Sequence, residues 1–169
     1  AVMYEVPYGG NSPGRLDYFL WPHLRDELEG GAISVQAAGE LVAELSIKMD
    51  ERVHLSDGHV NTIVVGGMGP EGEDCVTPLS YLMLDAFEQL NLTHPAVYTR
   101  LANVNPPQWW DRCVEYMLKG GNRAQILVDE PIIRAMTRPG RAGRLDCGDA
   151  GRAGSPHCCG GGAEGRMPF

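Results

Sequence analysis

Cysteine is the residue type in this sequence with the widest range of chemistry. The cysteines are Cys75, Cys113, Cys147, Cys158 and Cys159. Their spacing matches no zinc-binding pattern, and their odd number does not indicate the disulfide framework of a secreted protein. Cys113 lies in an apolar helical stripe, which predicts an inert buried thiol. We therefore expect a protein of the reducing cytoplasm.

Two histidines and an aspartate form the residue pattern in this sequence that most resembles a metal site. His54 and His59 lie in one predicted loop, with Asp57 between them. Their spacing is looser than that of known zinc motifs, and no further ligand is evident. We therefore expect solvated loop side chains and no bound metal.

The strongest local pattern is a strand, a glycine-rich turn and a helix within residues 61–85. A β-branched run at residues 63–65, bounded by glycine, predicts a strand covered on both faces. The glycines that follow are Gly66, Gly67, Gly69 and Gly72. Glycine adopts positive φ freely and lets another backbone or a ligand approach closely. Thr77 and Pro78 predict the start of a helix.

The glycine-rich stretch does not have the pattern of a phosphate-binding loop. No G-x-G-x-x-G opens a helix, and no G-x-x-x-x-G-K-[ST] occurs. A strand–loop–helix unit of an α/β protein and a ligand-binding loop are both compatible with the pattern alone.

Helical and strand patterns alternate along the rest of the chain. An amphipathic segment begins at Arg15, and Ser34 is a plausible cap for a second helix. Strands are predicted at residues 96–102 and 125–129, with a helix capped by Asn105 between them. This order predicts an α/β fold with parallel strands and helices outside.

Length and charge restrict the class of protein. The chain has 169 residues and a net charge of −8, which fits one domain and argues against nucleic acid or anionic membrane surfaces as partners. No apolar run approaches the roughly 18 residues of a membrane span, and no signal-peptide pattern is present. Since the first residue is Ala1, we expect a chain that begins inside a longer protein.

The complete residue pattern of positions 64–86 is more specific than the positions of its glycines alone. It reads V-V-G-G-M-G-P-E-G-E-D-x-V-T-x-L-S-Y-L-x-L-D-A and resembles I-G-G-x-x-x-x-G-x-D-A-T-N-x-L-S-Y-L-x-L-E-A of the glycyl radical enzymes, the pyruvate formate-lyase superfamily. The family's S-x-G-R-x-D-x-x-[LM]-x-P segment is matched by Ser12, Gly14, Arg15, Asp17, Leu20 and Pro22. Arg100 lies in a P-x-[LV]-x-x-R-[LIV]-like segment, and Asp129 and Glu130 resemble part of N-D-E-x-[IV]-I.

The resemblance implies a fold and an activity. Residues 1–136 would be a partial arc of a ten-stranded α/β barrel. The parent enzyme would pass a radical from a backbone glycine to a cysteine. It would then cleave a bond in a small organic substrate, as a formate acetyltransferase or a radical lyase, dehydratase or decarboxylase. The fragment alone is expected to be inactive. Arg100 would lie at the barrel mouth or pair with a carboxylate, and we favour the pair.

The resemblance also implies partners and a cofactor. An activating enzyme with S-adenosylmethionine and an iron–sulfur cluster would install the glycyl radical, whose loop is absent from this sequence. The enzyme itself would bind no metal. The full-length protein would be a homodimer in an anaerobic cytoplasm.

Site residues are expected at both ends of the chain. By the resemblance, Gly9, Gly10 and Asn11 would line the substrate cavity. Cys158 and Cys159 are candidates for the catalytic cysteine, although their flanks depart from the family's Gly-Cys-Val-Glu or Cys-Cys-Val motif. They lie in residues 137–169, a segment rich in Gly, Ala, Arg and Pro. That composition indicates either a shifted reading frame after Met136 or a disordered tail.

Two other interpretations stay open from the sequence. The chain could be a non-catalytic α/β domain whose glycine-rich loops hold a small ligand. It could also be an inactive truncated product, in which case uncovered strand edges and helix faces predict aggregation.

Overall fold

The computed structural model describes residues 13–51, 62–119 and 125–137, which form alternating helices and strands. The elements in these ranges are α1 (Leu16–Glu29), α2 (Val35–Asp50), β1 (Thr62–Gly66), α3 (Pro78–Leu90), β2 (Ala96–Leu101), α4 (Pro107–Lys119), β3 (Gln125–Val128) and α5 (Asp129–Met136). The predicted alternation is confirmed. The short helix α5 is an addition, because residue 129 begins a helix where the sequence predicts the end of a strand.

The three described strands form one parallel sheet in the order β1-β2-β3. Thr62 of β1 lies opposite Ala96 of β2, and Tyr98 of β2 lies opposite Gln125 of β3. Gly14 forms a further parallel bridge with Ile63, so the backbone that precedes α1 also pairs with β1. The predicted parallel α/β class is therefore confirmed.

Both faces of β1 are buried, as the β-branched run predicts, and both faces of β2 are buried as well. Because side chains alternate along a strand, Ile63 and Val65 belong to one apolar cluster, and Val64 belongs to another. The first cluster contains Leu84 of α3 and Trp109 of α4. Sheets with parallel strands are normally covered on both sides in this way, and this burial supplies most of the driving force for folding.

The predicted caps of α2 and α3 are confirmed. Ser34 Oγ accepts a hydrogen bond from Ala37 N at 3.1 Å. Thr77 and Ser80 form a reciprocal capping box, with Pro78 in the first turn. Such contacts satisfy backbone N–H groups that the helix leaves unpaired, each worth about 1 kcal/mol.

The predicted cap of α4 is wrong. The helix begins at Pro107 rather than directly after Asn105. The side chain of Asn105 instead accepts from Ala102 N at 2.7 Å and donates to Gly67 O at 3.0 Å. Its amide joins two loops across the end of the sheet, and this tertiary use replaces the local one.

None of the described helices has the length and apolar character that a membrane crossing needs.

Candidate functional site

The carboxyl ends of β1, β2 and β3 meet at one edge of the sheet because the strands are parallel. This carboxyl edge consists of the glycine turn (residues 66–69), the loop 102–106 and the start of α5 at residue 129. Ligands of α/β proteins bind outside the carboxyl ends of the strands. The carboxyl edge is therefore the part of the described structure where a site is expected.

The glycine turn is shaped by close side chains. Gly66 and Gly67 have φ of 74° and 83°, values that side-chain-bearing residues rarely adopt. A Cβ built on Gly67 would lie 2.7 Å from Asp129 Oδ2 and 2.7 Å from Arg100 Cβ. Close approach to these glycines is confirmed, but the groups that approach are side chains of the protein and not another backbone or a ligand.

A buried ion pair lies behind the glycine turn. Arg100 Nε donates to Asp129 Oδ1 at 2.7 Å, and both side chains are 2% exposed. Asp129 Oδ2 accepts a second hydrogen bond, from Met68 N, at 2.8 Å. The prediction that Arg100 pairs with a carboxylate is confirmed. One carboxylate thus joins the ends of all three strands.

The segment that opens α1 holds the same turn from another side. Arg15 donates from Nη2 to Gly66 O at 3.0 Å and from Nη1 to Met68 O at 3.1 Å. Asp17 Oδ2 accepts from Gly66 N at 2.7 Å and from Ser80 Oγ at 2.7 Å. Burial raises the pKa of the Asp17 carboxyl, and the hydrogen bonds from Ser80 and Gly66 oppose that rise.

The side chains of Arg15, Asp17, Arg100, Asn105 and Asp129 together contact the glycine turn, and we call them the edge network. They come from four separate segments of the chain. Sequence reasoning placed Arg15, Asp17 and Asp129 in matched motifs but assigned them no role. Their buried hydrogen bonds give the physical reason for residues of these types at these positions.

The described cysteines are buried rather than reactive. Cys113 has no exposed surface and Cys75 is 4% exposed. Burial raises the pKa of Cys113 from 9.0 to about 12 and also raises the pKa of Cys75. The thiolate is the nucleophilic form, so the prediction of an inert thiol at position 113 is confirmed.

Alkylation should follow this burial. At pH 8.5, native Cys113 is expected to resist iodoacetamide, because the sulfur is buried and burial raises the pKa of the thiol to about 12. Unfolding returns the pKa to its ordinary value and exposes the sulfur, so labelling should then be complete. Mass spectrometry of the peptide that contains residue 113, before and after urea treatment, measures both states. Rapid labelling of the native chain would contradict the assignment.

Several predicted site residues lie outside the described ranges. They are Gly9, Gly10, Asn11, His54, Asp57, His59, Cys158 and Cys159. Their proposed roles stay predictions. Within residues 13–51, 62–119 and 125–137, no group of three or more His, Cys, Asp or Glu side chains could hold a metal ion.

A comparison with protein families identifies the class. The model of the family described as PFL-like, Pyruvate formate lyase-like, matches residues 1–163. The chain therefore belongs to the pyruvate formate lyase-like family. The match extends past residue 136, across most of the segment with biased composition.

Curated relatives and a solved structure agree with this class. The trans-4-hydroxy-L-proline dehydratase of Clostridioides difficile is 26% identical over 141 residues, which are 77% of this chain and 18% of the relative. An isethionate sulfite-lyase of Oleidesulfovibrio alaskensis is 27% identical over 133 residues, 72% of this chain and 16% of the relative. A glycyl radical enzyme from Archaeoglobus fulgidus superimposes with a TM-score of 0.73 and 25% identity, over 85% of this chain and 19% of that chain.

The described elements are thus a partial arc of an α/β barrel of the glycyl radical enzyme type. The chain spans less than a fifth of the length of these relatives.

Proposed function

We propose that the chain is part of a glycyl radical enzyme that cleaves a bond in a small organic substrate. The observation that carries the proposal is the family match over residues 1–163. The superposition on the Archaeoglobus fulgidus enzyme adds support from the fold. The relatives reported above are enzymes, which favours this function over a non-catalytic binding domain.

The reaction type we propose is that of a lyase. The curated relatives are named as a dehydratase and a sulfite-lyase, so both release a small leaving group. We therefore favour elimination over acyl transfer for the parent protein. Gly9, Gly10 and Asn11 are proposed as part of the cavity wall. Cys158 and Cys159 are the candidate catalytic thiols, and both fall within the matched range.

The proposed cofactor is a glycyl radical outside this sequence, which would supply a one-electron route for hydrogen abstraction. An activating enzyme with S-adenosylmethionine and an iron–sulfur cluster is the proposed partner that installs it. A homodimer in an anaerobic cytoplasm is the proposed state of the full-length protein. The described residues would contribute a rigid section of the barrel wall.

Electron paramagnetic resonance tests the proposal. The complete gene should first be sequenced through and beyond the codons for residues 137–169, and then expressed anaerobically with its activating enzyme. We expect a glycyl radical signal that disappears in air, together with turnover of a hydroxylated or sulfonated substrate from a panel. A protein that gains no radical, from an activating enzyme shown to work on a control partner, would overturn the proposal.

A further inference from the structure

We propose that the edge network positions the glycine turn for catalysis, and that Asp129 is its central positioning residue. The inference rests on the proposed function, because it concerns the same reaction. Asp129 is not proposed to touch substrate. It would act through the backbone of the turn at the carboxyl edge.

The contacts of the turn carry the first step. Residues 66, 67 and 68 are bonded through their backbone to side chains from other segments, in addition to the pairing of Gly66 with Arg100 and the bridge between Met68 and Asp74. Gly66 N bonds Asp17, and Gly67 O bonds Asn105. Met68 uses both its N–H and its C=O, the former to Asp129 and the latter to Arg15. Side chains from distant segments of the chain therefore hold the turn together with its own backbone bonds to residues 73 and 75.

The composition of the turn carries the second step. Glycine loses more backbone freedom on ordering than any other residue, so a turn built on Gly66, Gly67 and Gly69 is intrinsically mobile. Backbone hydrogen bonds within residues 67–75 fix part of its geometry, and side chains from outside the segment fix the rest. Reacting groups need to be held within about 0.5 Å of their productive arrangement. The edge network supplies side-chain contacts that serve this requirement on three successive residues of the turn.

The choice of charged residues carries the third step. Arg100 and Asp129 are each 2% exposed, and removing two charges from water costs about as much as their attraction returns. Apolar side chains of similar volume would stabilise the fold equally well or better. They could not, however, accept the hydrogen bond from Met68 N. A directional carboxylate is needed for that contact, and this favours a role in geometry.

The position of the network carries the last step. It lies at the carboxyl ends of the strands, where ligands bind in α/β folds, and not at the opposite edge. Asp129 also opens α5. One residue thereby connects the turn after β1 with Arg100 of β2 and with the start of α5.

Substitution in the full-length enzyme tests the inference. Asp129→Asn keeps the size of the side chain but offers one acceptor oxygen, so the bond to Arg100 or to Met68 is lost. We expect kcat to fall at least tenfold, with KM changed less than threefold. The glycyl radical content per protomer, measured by electron paramagnetic resonance, should equal that of the wild type.

A matched control separates positioning from stability. Leu84→Ala removes a fully covered side chain of α3 that is not part of the edge network, and it should lower the melting temperature by a similar amount. We expect its kcat to stay within twofold of wild type. Equal losses of kcat in both variants, at equal loss of melting temperature, would overturn the inference.

A second variant tests whether the edge network positions the glycine turn if Asp129→Asn does not fold. Arg15→Lys keeps the charge but loses the planar fork that bonds Gly66 O and Met68 O together. A tenfold loss of kcat with full radical content supports the inference, and wild-type kcat overturns it. A wild-type enzyme without a radical would instead contradict the proposed function, so the two failures are distinguishable.

Discussion

Gly66→Ala is expected to destabilise the chain by about 2–5 kcal/mol. The φ of 74° at Gly66 costs about 1–2 kcal/mol for a residue with a Cβ. The new methyl group would also lie 2.5 Å from the Trp109 ring, and overpacking of this kind costs about 1–3 kcal/mol. The ring cannot easily retreat, because Trp109 Nε1 donates to Arg100 O at 2.9 Å.

Gly31→Ala provides the matched control for this substitution. Gly31 has a φ of 69°, and no atom lies within 4 Å of a Cβ built on it. The loss of unfolding free energy in Gly31→Ala should therefore reflect only the strain of a positive φ, about 1–2 kcal/mol. Urea unfolding monitored by far-ultraviolet circular dichroism measures both variants. If the two losses are equal, the contact between Gly66 and Trp109 does not restrict the site.

Arg100→Met is expected to cost about 3–5 kcal/mol, because it leaves the Asp129 carboxylate buried without its cation. Both partners are 2% exposed, so solvent screens the interaction little. Addition of Asp129→Asn to this variant should restore part of the loss, since the second change removes the uncompensated charge. Urea unfolding of the single and double variants measures the recovery.

An exposed ion pair supplies the control for the buried one. Lys48 lies 2.8 Å from Glu51, and their side chains are 58% and 50% exposed. Surface pairs contribute about 0–1 kcal/mol, so Lys48→Met should change the free energy of unfolding by less than about 1 kcal/mol. A similar cost for Lys48→Met and Arg100→Met would show that burial does not govern the Arg100–Asp129 pair.

Local features of the fold could be predicted from the sequence because their causes are local. The cap of α3 at Thr77, with Pro78 in the first turn, depends on neighbouring residues. The strand at residues 62–66 follows from a β-branched run bounded by glycine. In both cases the residues that determine the structure lie within one short window.

The edge network could not be predicted from local patterns. Asp17 bonds Ser80, 63 positions away, and Asp129 bonds Met68, 61 positions away. Neither periodicity nor spacing carries information about such contacts. Asn105 shows the same limit, because a residue typical of a helix cap is used to bond Gly67 across the sheet. The resemblance marked the matched segments, but their geometry required the fold.

The bond between Met68 and Asp129 also has a consequence for biosynthesis. A ribosome adds about 5–20 residues per second, so residue 129 follows residue 68, 61 positions earlier, by roughly 3–12 s at that rate. During this interval the nascent glycine turn lacks its carboxylate partner, while β1 and α3 are already available to associate. Closure of so long a loop also carries an entropic cost. We therefore expect the carboxyl edge to assemble late. A chaperone that binds the nascent chain during that interval would meet a carboxyl edge that has not yet assembled.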